Sequence, residues 1–296
     1  MFRALVMALA AVLAGCVSHK GLPESIKSSR LADSQFTVQR NVVYTPAQWP
    51  AAVSADIYQP QGAGPFPAVL VIHGGGWTAR TRADMDSLAE KVARRGYVVM
   101  NASYRFAPRW TFPSQLQDVQ QAVLFLRANA DKYQVQPDRI AAWGYSSGAH
   151  LAALLGVTSP GDKQFLEGAR VQAVVAGGTP VDLSYYPDGP LTNKLMGAPY
   201  LSNEARWAEA SPLTLVSRDD PPTFLYHGTF DFTVGSKNAY NMFAALNRAS
   251  VPAELYIVRG LEHISMFFLS PVDRGVDFLD RNIGAAAVPD QVKASR

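Results

Sequence analysis

Apolar and polar positions along the chain change period in a regular way. Residues 36–45 and 51–59 alternate in part with period two and precede any helical pattern, so they read as an antiparallel lead-in pair. Residues 66–73 (FPAVLVIH) form a continuous apolar run, as a strand buried on both faces requires. A helical period follows over 82–95 and stops at Gly96. The run 97–103 (YVVMNAS) predicts the next buried strand. Over 114–129, Leu116, Val119, Val123, Leu124 and Leu126 form the apolar side of a long amphipathic helix. Residues 139–145 (RIAAWGY) predict a strand and 147–156 a helix. Strands follow over 171–177 and 222–228 (PTFLYHG), then a helix over 235–249. Residues 253–258 predict the last strand, and 266–282 the last helix, stopped by Gly284. Alternation of this kind predicts an α/β fold, a mostly parallel sheet with helices on both faces. Residues 178–212, rich in Pro, Tyr, Asn and Gly, break the rhythm between two strands. They are expected to hang over the carboxyl edge of the sheet as a short cap-like insertion.

The ends of the chain follow other rules. Arg3 precedes an unbroken apolar run over 4–14. A membrane-spanning helix needs about 20 such residues, so this run fits an export signal instead. It ends in Leu13-Ala14-Gly15-Cys16, which resembles the lipobox of bacterial lipoproteins. That resemblance implies cleavage before Cys16 and a lipid on its thiol. Val17 in place of Asp then implies a lipid-anchored protein of the bacterial cell envelope, on the outer membrane facing the periplasm. A plain secretory signal with a buried cysteine nearby is the alternative. The expected division is a signal peptide over 1–15, a tether over 16–35, one α/β domain over 36–284 and a small, polar tail over 285–296.

Composition narrows the chemistry. Of the 296 residues 48% are hydrophobic, too many for intrinsic disorder. The net charge is +3 and no long block of like charge occurs, which gives no reason to propose a nucleic-acid partner. A single cysteine excludes an intrachain disulfide, an iron–sulfur cluster and a multi-thiolate zinc site. No metal or cofactor is called for.

Four segments carry candidate chemistry. Gly144-Tyr145-Ser146-Ser147-Gly148 joins a predicted strand to a predicted helix, the context a Gly-x-Ser-x-Gly nucleophile elbow needs. The alternative is a serine helix cap between chance glycines. His73-Gly74-Gly75-Gly76-Trp77 follows the buried strand 66–73 and frees backbone N–H groups to face a developing anion. A phosphate-binding turn is the weaker alternative, because no Gly-x-Gly-x-x-Gly or Lys-Ser/Thr pair accompanies it. Asp231 lies just past the strand 222–228, where it can reach a neighbouring loop or cap the next helix. His263 follows the last strand. His19 falls in the tether, His73 and His227 end strands, and His150 is four residues along the elbow helix. Only His263 is left on a loop after the acid. The order Ser146, Asp231, His263 is that of the α/β-hydrolases, distinct from the chymotrypsin and subtilisin orders.

The segments HGGGW, NASYRFAP, FPSQLQDV, DRIAAWGYSSGAHLA, HGTFDFTV and GLEHI occur in that order. Together they resemble α/β-hydrolase-fold esterases with an HGGG oxyanion loop. These are the hormone-sensitive-lipase-like carboxylesterases and the bacterial acetyl-xylan and feruloyl-esterase-like hydrolases. The likeness runs from about residue 53 to 283. It implies Ser146 as nucleophile, His263 as base and Asp231 as orienting acid. It also implies an oxyanion hole from the backbone N–H groups of Gly75, Gly76 and Ser147, with Trp77 N–H a further contributor. Tyr145-Ser146-Ser147-Gly148 departs from the Asp-Ser-Ala-Gly of the hormone-sensitive-lipase-like group, and that group's long amino-terminal cap is missing. Both departures favour the smaller, polysaccharide-esterase-like branch. Arg105 is expected to pair with Asp118. Trp77, Phe106, Trp110, Tyr145, Tyr185, Tyr186, Tyr200 and Trp207 lie in or beside loops expected at the pocket mouth, as substrate contacts or as cap packing. Three readings stay open: a carboxylesterase of short-chain acyl or aryl esters, an amide-directed relative such as an arylformamidase, and a non-catalytic binder on the same scaffold. The expected ligand is a small-molecule or oligosaccharide ester. The short insertion implies a pocket suited to two to four acyl carbons. Nothing in the sequence sets an oligomeric state.

Overall fold

The computed structural model describes residues 17–22 and 33–284. The signal peptide, Cys16, residues 23–32 of the expected tether and the tail lie outside the described residues. The strands are β1 (Val17–Lys20), β2 (Phe36–Val43), β3 (Ser54–Pro60), β4 (Phe66–Ile72), β5 (Val98–Ala102), β6 (Val135–Tyr145), β7 (Ala173–Gly177), β8 (Thr223–Gly228) and β9 (Ala253–Val258). They form one sheet in the order β1-β9-β8-β7-β6-β4-β5-β3-β2. The six strands from β5 across to β9 are parallel, and β1, β2 and β3 pair antiparallel to their neighbours. This is the mostly parallel α/β sheet expected from the alternation, in keeping with the α/β-hydrolase fold that the resemblance implies.

Period-two side-chain direction divides β4 between two cores. Leu70 and Ile72 enter the core beneath the helices Ser114–Ala128, Ser147–Val157 and Lys237–Arg248. Val69 and Val71 enter the core beneath Asp86–Arg94 and Val272–Asn282. Every residue of β4 after Phe66 is therefore buried, which is why the strand reads as an unbroken apolar run.

From central β4 the chain moves outward to β5, then crosses to β6 on the other side. The order reverses between β4 and β6, and such a reversal opens a crevice at the carboxyl ends of the strands. The loops that flank it are the Gly-rich segment after β4 and the elbow after β6.

Two expectations change. Val17–Lys20, expected within a loose tether, is a strand paired with β9, Val17 opposite Val258. Its four residues carry no period, and the ladder and the His19 contacts described below hold it. The single helix expected over 266–282 is two, His263–Phe268 and Val272–Asn282. Pro271 separates them, since it has no N–H for a helical bond and its ring disfavours the preceding turn.

Candidate active site

Ser146 sits at the turn between β6 and the helix Ser147–Val157 with φ 56° and ψ −124°, a backbone conformation that non-glycine residues rarely adopt. The surroundings over-determine it. Ser146 N–H donates to Gly177 O (2.8 Å), and Ser146 O accepts from His150 N–H (3.0 Å). A Cβ on Gly144 would lie 2.2 Å from Gly148 O, and one on Gly148 would lie 2.1 Å from Ile72 O. Glycine at both positions is what lets strand, helix and β4 approach so closely.

His263, the first residue of its helix, closes the series. Ser146 Oγ donates to His263 Nε2 at 2.9 Å, and His263 Nδ1 donates to Asp231 Oδ2 at 2.6 Å. A carboxylate only accepts, so the Asp231 bond assigns the proton to Nδ1 and leaves Nε2 free to accept. Asp231 Oδ1 takes the N–H groups of Thr233 (3.0 Å) and Val234 (2.7 Å). The carboxylate thus caps its own turn with one oxygen and orients the imidazole with the other. Burial alone would raise its pKa. The bonds from His227, His263 and Val234 outweigh that and hold it well below the usual carboxylate range. Two other carboxylates beside these strands, Glu262 after β9 and Asp220 before β8, are engaged elsewhere. Glu262 caps the N–H groups of Ile264 and Ser265, and Asp220 accepts from Ser217.

His227 is a partner that sequence reasoning missed. Its Nε2 donates to Val234 O (2.6 Å) and lies 3.1 Å from Asp231 Oδ2. The i,i+4 spacing of His227 and Asp231 was the available signal. Tyr145 adds a second brace: its hydroxyl donates to His263 O at 2.5 Å.

The Gly-rich loop lies across the crevice. Gly75, Gly76 and Trp77 all have positive φ, and Gly75 O accepts from the N–H groups of Thr78 and Ala79. Among the described residues no acceptor is paired with the N–H of Gly75, Gly76 or Ser147, and all three residues line the cavity above Ser146. Trp77 is buried, and its indole N–H donates to His150 Nδ1 (3.3 Å), while His150 Nε2–H donates to Ala210 O (2.7 Å). This ties the loop to the elbow helix and to the insertion. His73 braces the loop from behind, donating Nδ1–H to Gly74 O (2.7 Å) and stacking on Tyr104 at 4.6 Å. Burial pushes the pKa of both His73 and His150 down to about 4.

The cavity holds about 420 Å³. Trp77, Tyr145 and Tyr186 line it, together with Leu191, Ile264, Phe267 and Phe268. Five of the eight expected pocket aromatics do not: Phe106, Trp110, Tyr185, and the pair Tyr200 and Trp207, which pack edge to face on each other at 5.5 Å. Phe106 packs its ring edge on His73 and Tyr104, behind the loop. Tyr185 accepts from Asn241 Nδ2 (2.7 Å) and carries the Lys237 ammonium over its ring, away from the cavity. Trp110 stacks on the guanidinium of Arg105, and Arg105 is held by Asp118 through Nε (2.9 Å) and its backbone N–H (2.7 Å).

Among solved structures, a truncated form of a carbohydrate esterase from gut microbiota superposes with a TM-score of 0.76 and 26% identity, covering 84% of this chain and 97% of that one. A Thermogutta terrifontis thermophilic esterase shares the fold, with a TM-score of 0.67 and 22% identity over 84% of this chain and 92% of that one. In sequence, the chain is 32% identical to a probable carboxylic ester hydrolase of Mycobacterium tuberculosis, LipM, over 65% of this chain and 48% of that protein. It is 24% identical to a probable isoprenylcysteine alpha-carbonyl methylesterase of Arabidopsis thaliana over 95% of this chain and 62% of that protein. The chain thus spans about half to three fifths of the length of these curated relatives. The BD-FAE family model matches residues 55–246, a span that runs from β3 into the helix Lys237–Arg248 and carries both Ser146 and Asp231, and the chain belongs to the BD-FAE family.

Proposed function

We propose that this chain is a serine carboxylesterase that hydrolyses short-chain acyl or aryl esters. The observation that carries the reading is the hydrogen-bonded series Ser146–His263–Asp231 beneath a cavity lined by unpaired loop N–H groups. Ser146 Oγ attacks the ester carbonyl carbon while His263 Nε2 takes its proton. The carbonyl oxygen, now an anion, accepts from the N–H groups of Gly75, Gly76 and Ser147. Collapse of the tetrahedral intermediate expels the alcohol, which takes the proton from His263. Water then attacks the acyl-enzyme with His263 as base, releasing the acid and regenerating Ser146 Oγ–H. Asp231 stays ionised throughout and holds the imidazole in the productive tautomer. Apolar walls from Leu191, Ile264, Phe267 and Tyr186 suit a small acyl or aryl group. The ester hydrolases and the carbohydrate esterase among the similar proteins support ester chemistry, with an oligosaccharide ester as one candidate substrate. The same proposal has Cys16 lipidated after cleavage of residues 1–15, anchoring the enzyme in a bacterial cell envelope, at the outer membrane facing the periplasm.

Ser146→Ala tests the nucleophile. Hydrolysis of p-nitrophenyl acetate is expected to fall by roughly 10⁶ in kcat, the loss given by removal of the serine in subtilisin. A fluorophosphonate probe is expected to label Ser146 in the wild type. Labelling at another serine, or an active Ser146→Ala, overturns the assignment.

A further inference from the structure

β1 has a consequence for how the enzyme meets its membrane. Val17 pairs with Val258 at the carboxyl end of β9, and Val258 pairs in turn with Gly228 at the carboxyl end of β8. Strands in a sheet are about 4.8 Å apart, so Val17 begins two strand spacings from the segment that carries Asp231. Val17 therefore stands at the same edge of the sheet as the candidate active site.

The attachment is stiff. The His19 imidazole bonds to Glu254 at 2.9 Å and sets its edge against Phe224 (5.7 Å) and Tyr256 (5.3 Å). Glu254 is held in addition by Arg281 at 2.6 Å. With β1 in the ladder no length of free chain separates the first described residue from the domain.

That same edge carries a cluster of large apolar side chains turned to water. Phe232 is 92% exposed and Phe268 is 77% exposed, and Phe230, Ile264 and Leu269, on the same two chain segments, are exposed as well. Phe230 and Phe232 follow β8 and flank Asp231, their rings facing one another at 6.3 Å. Ile264 and Phe268 stand on or beside the rim, for both line the cavity. Phe230 N–H donates to Leu261 O, which fastens the two segments together. Exposed apolar side chains gathered at one edge in this way mark an interaction surface.

We infer that this rim is a membrane-docking surface: the lipid on Cys16 and the side chains of Phe230, Phe232, Ile264, Phe268 and Leu269 seat on one bilayer surface, and the cavity mouth opens at the lipid–water interface. The inference rests on the lipid-anchor reading of Cys16. The acyl chains hold the protein to the bilayer, and β1 fixes which face is presented. The aromatic rim then adds the second, shallow contact that stable peripheral attachment uses. Substrate reaches Ser146 from the plane of the interface.

The test uses the mature lipidated chain, made with its own signal and reconstituted in phosphatidylethanolamine–phosphatidylglycerol vesicles. Phe232→Cys and Phe268→Cys are each labelled with an environment-sensitive fluorophore, as is Leu166→Cys in the loop before β7, at the opposite edge of the sheet. Cys16, its sulfur taken by the lipid, does not react. The labels at 232 and 268 are expected to shift to the blue on vesicles and to be quenched by lipid-borne spin labels, as groups about 5–10 Å into the headgroup boundary are. The label at 166 is expected to do neither. Mass spectrometry that finds no lipid on Cys16 removes the anchor reading and the docking proposal with it. A lipidated chain that floats with vesicles while 232 and 268 stay as wet as 166 overturns docking alone. Shielding that follows protein concentration rather than lipid concentration assigns the face to a second copy of the chain and overturns docking as well.

Discussion

Acid should destabilise this protein through the two histidines that brace the Gly-rich loop, and His150→Gln should remove about half of that effect. His150 is fully buried with both ring nitrogens committed. Trp77 Nε1–H can only donate, so Nδ1 of His150 must stay an acceptor, and a proton there would set two donors against each other. His73 donates Nδ1–H to Gly74 O, and its buried Nε2 has no partner among the described residues, so a proton there would be an unsatisfied buried charge. Both rings are therefore held neutral, and burial lowers each pKa from 6.5 to about 4. Above pH 6.5 the folded and unfolded chains are equally unprotonated at these sites, and the full stability is present. As pH falls from 6.5 toward 4, the unfolded chain binds protons that the folded chain refuses, and stability is lost. The gap is worth about 3 kcal/mol for each histidine. Domains are stable by about 5–15 kcal/mol, so the pair commands a large part of the reserve. Gln at 150 keeps an amide N–H for Ala210 O and does not titrate. Urea unfolding followed by tryptophan fluorescence, on wild type and variant at pH 7.5, 5.5 and 4.5, gives the stability difference at each pH. The variant is expected to be the less stable at pH 7.5 and to lose about 2–3 kcal/mol less than wild type by pH 4.5. A difference that stays constant to within about 1 kcal/mol across that range would refute the neutral, buried assignment of His150.

Asp231→Asn is expected to lower kcat by about 10⁴ with KM little changed, following the trypsin example, because an amide no longer enforces the His263 tautomer. Steady-state kinetics beside a circular dichroism spectrum checks it, and an active Asp231→Asn sinks the acid assignment. His227→Phe removes one of the two imidazoles on Asp231. Loss of a bond to a charged group is worth about 1.5–3 kcal/mol, so kcat is expected to drop tenfold to a hundredfold, and an unchanged kcat would make His227 only a loop brace. Across a series of p-nitrophenyl esters, kcat/KM is expected to peak at two to four acyl carbons or on an aryl-substituted acyl group, since each added methylene changes discrimination by only about 1–3 kcal/mol. A maximum at eight carbons or more would mean that Leu191, Ile264 and Phe267 line a deeper acyl channel.

The parts of the site that the sequence displays are those built from neighbouring residues. The elbow needs glycines two positions either side of Ser146: Gly144 is held by its contact with Gly148 within the turn and Gly148 by the close approach of Ile72 on β4, yet both fall inside one pentapeptide, so the motif shows itself in the sequence. His263 and Asp231 are legible because strand ends bring loops to one edge, and their order along the chain leaves few alternatives. What escapes is whatever depends on which way a loop turns. Phe106 and Tyr185 lie in the right loops, yet Phe106 turns back onto His73 and Tyr185 outward onto Lys237. The wall that does face Ser146 comes from Ile264, Phe267 and Phe268, whose apolar run reads equally well as core. β1 escapes for a different reason. VSHK has no period, and its place is set by Glu254, Phe224 and Tyr256, more than 200 positions away. Four residues that look like spacer thus start at the edge of the sheet that carries Ser146, Asp231 and His263. Under the proposed lipid anchor, a loose tether would let the cavity face any direction, whereas a paired strand at Val17 gives the proposed anchor and the cavity mouth one orientation.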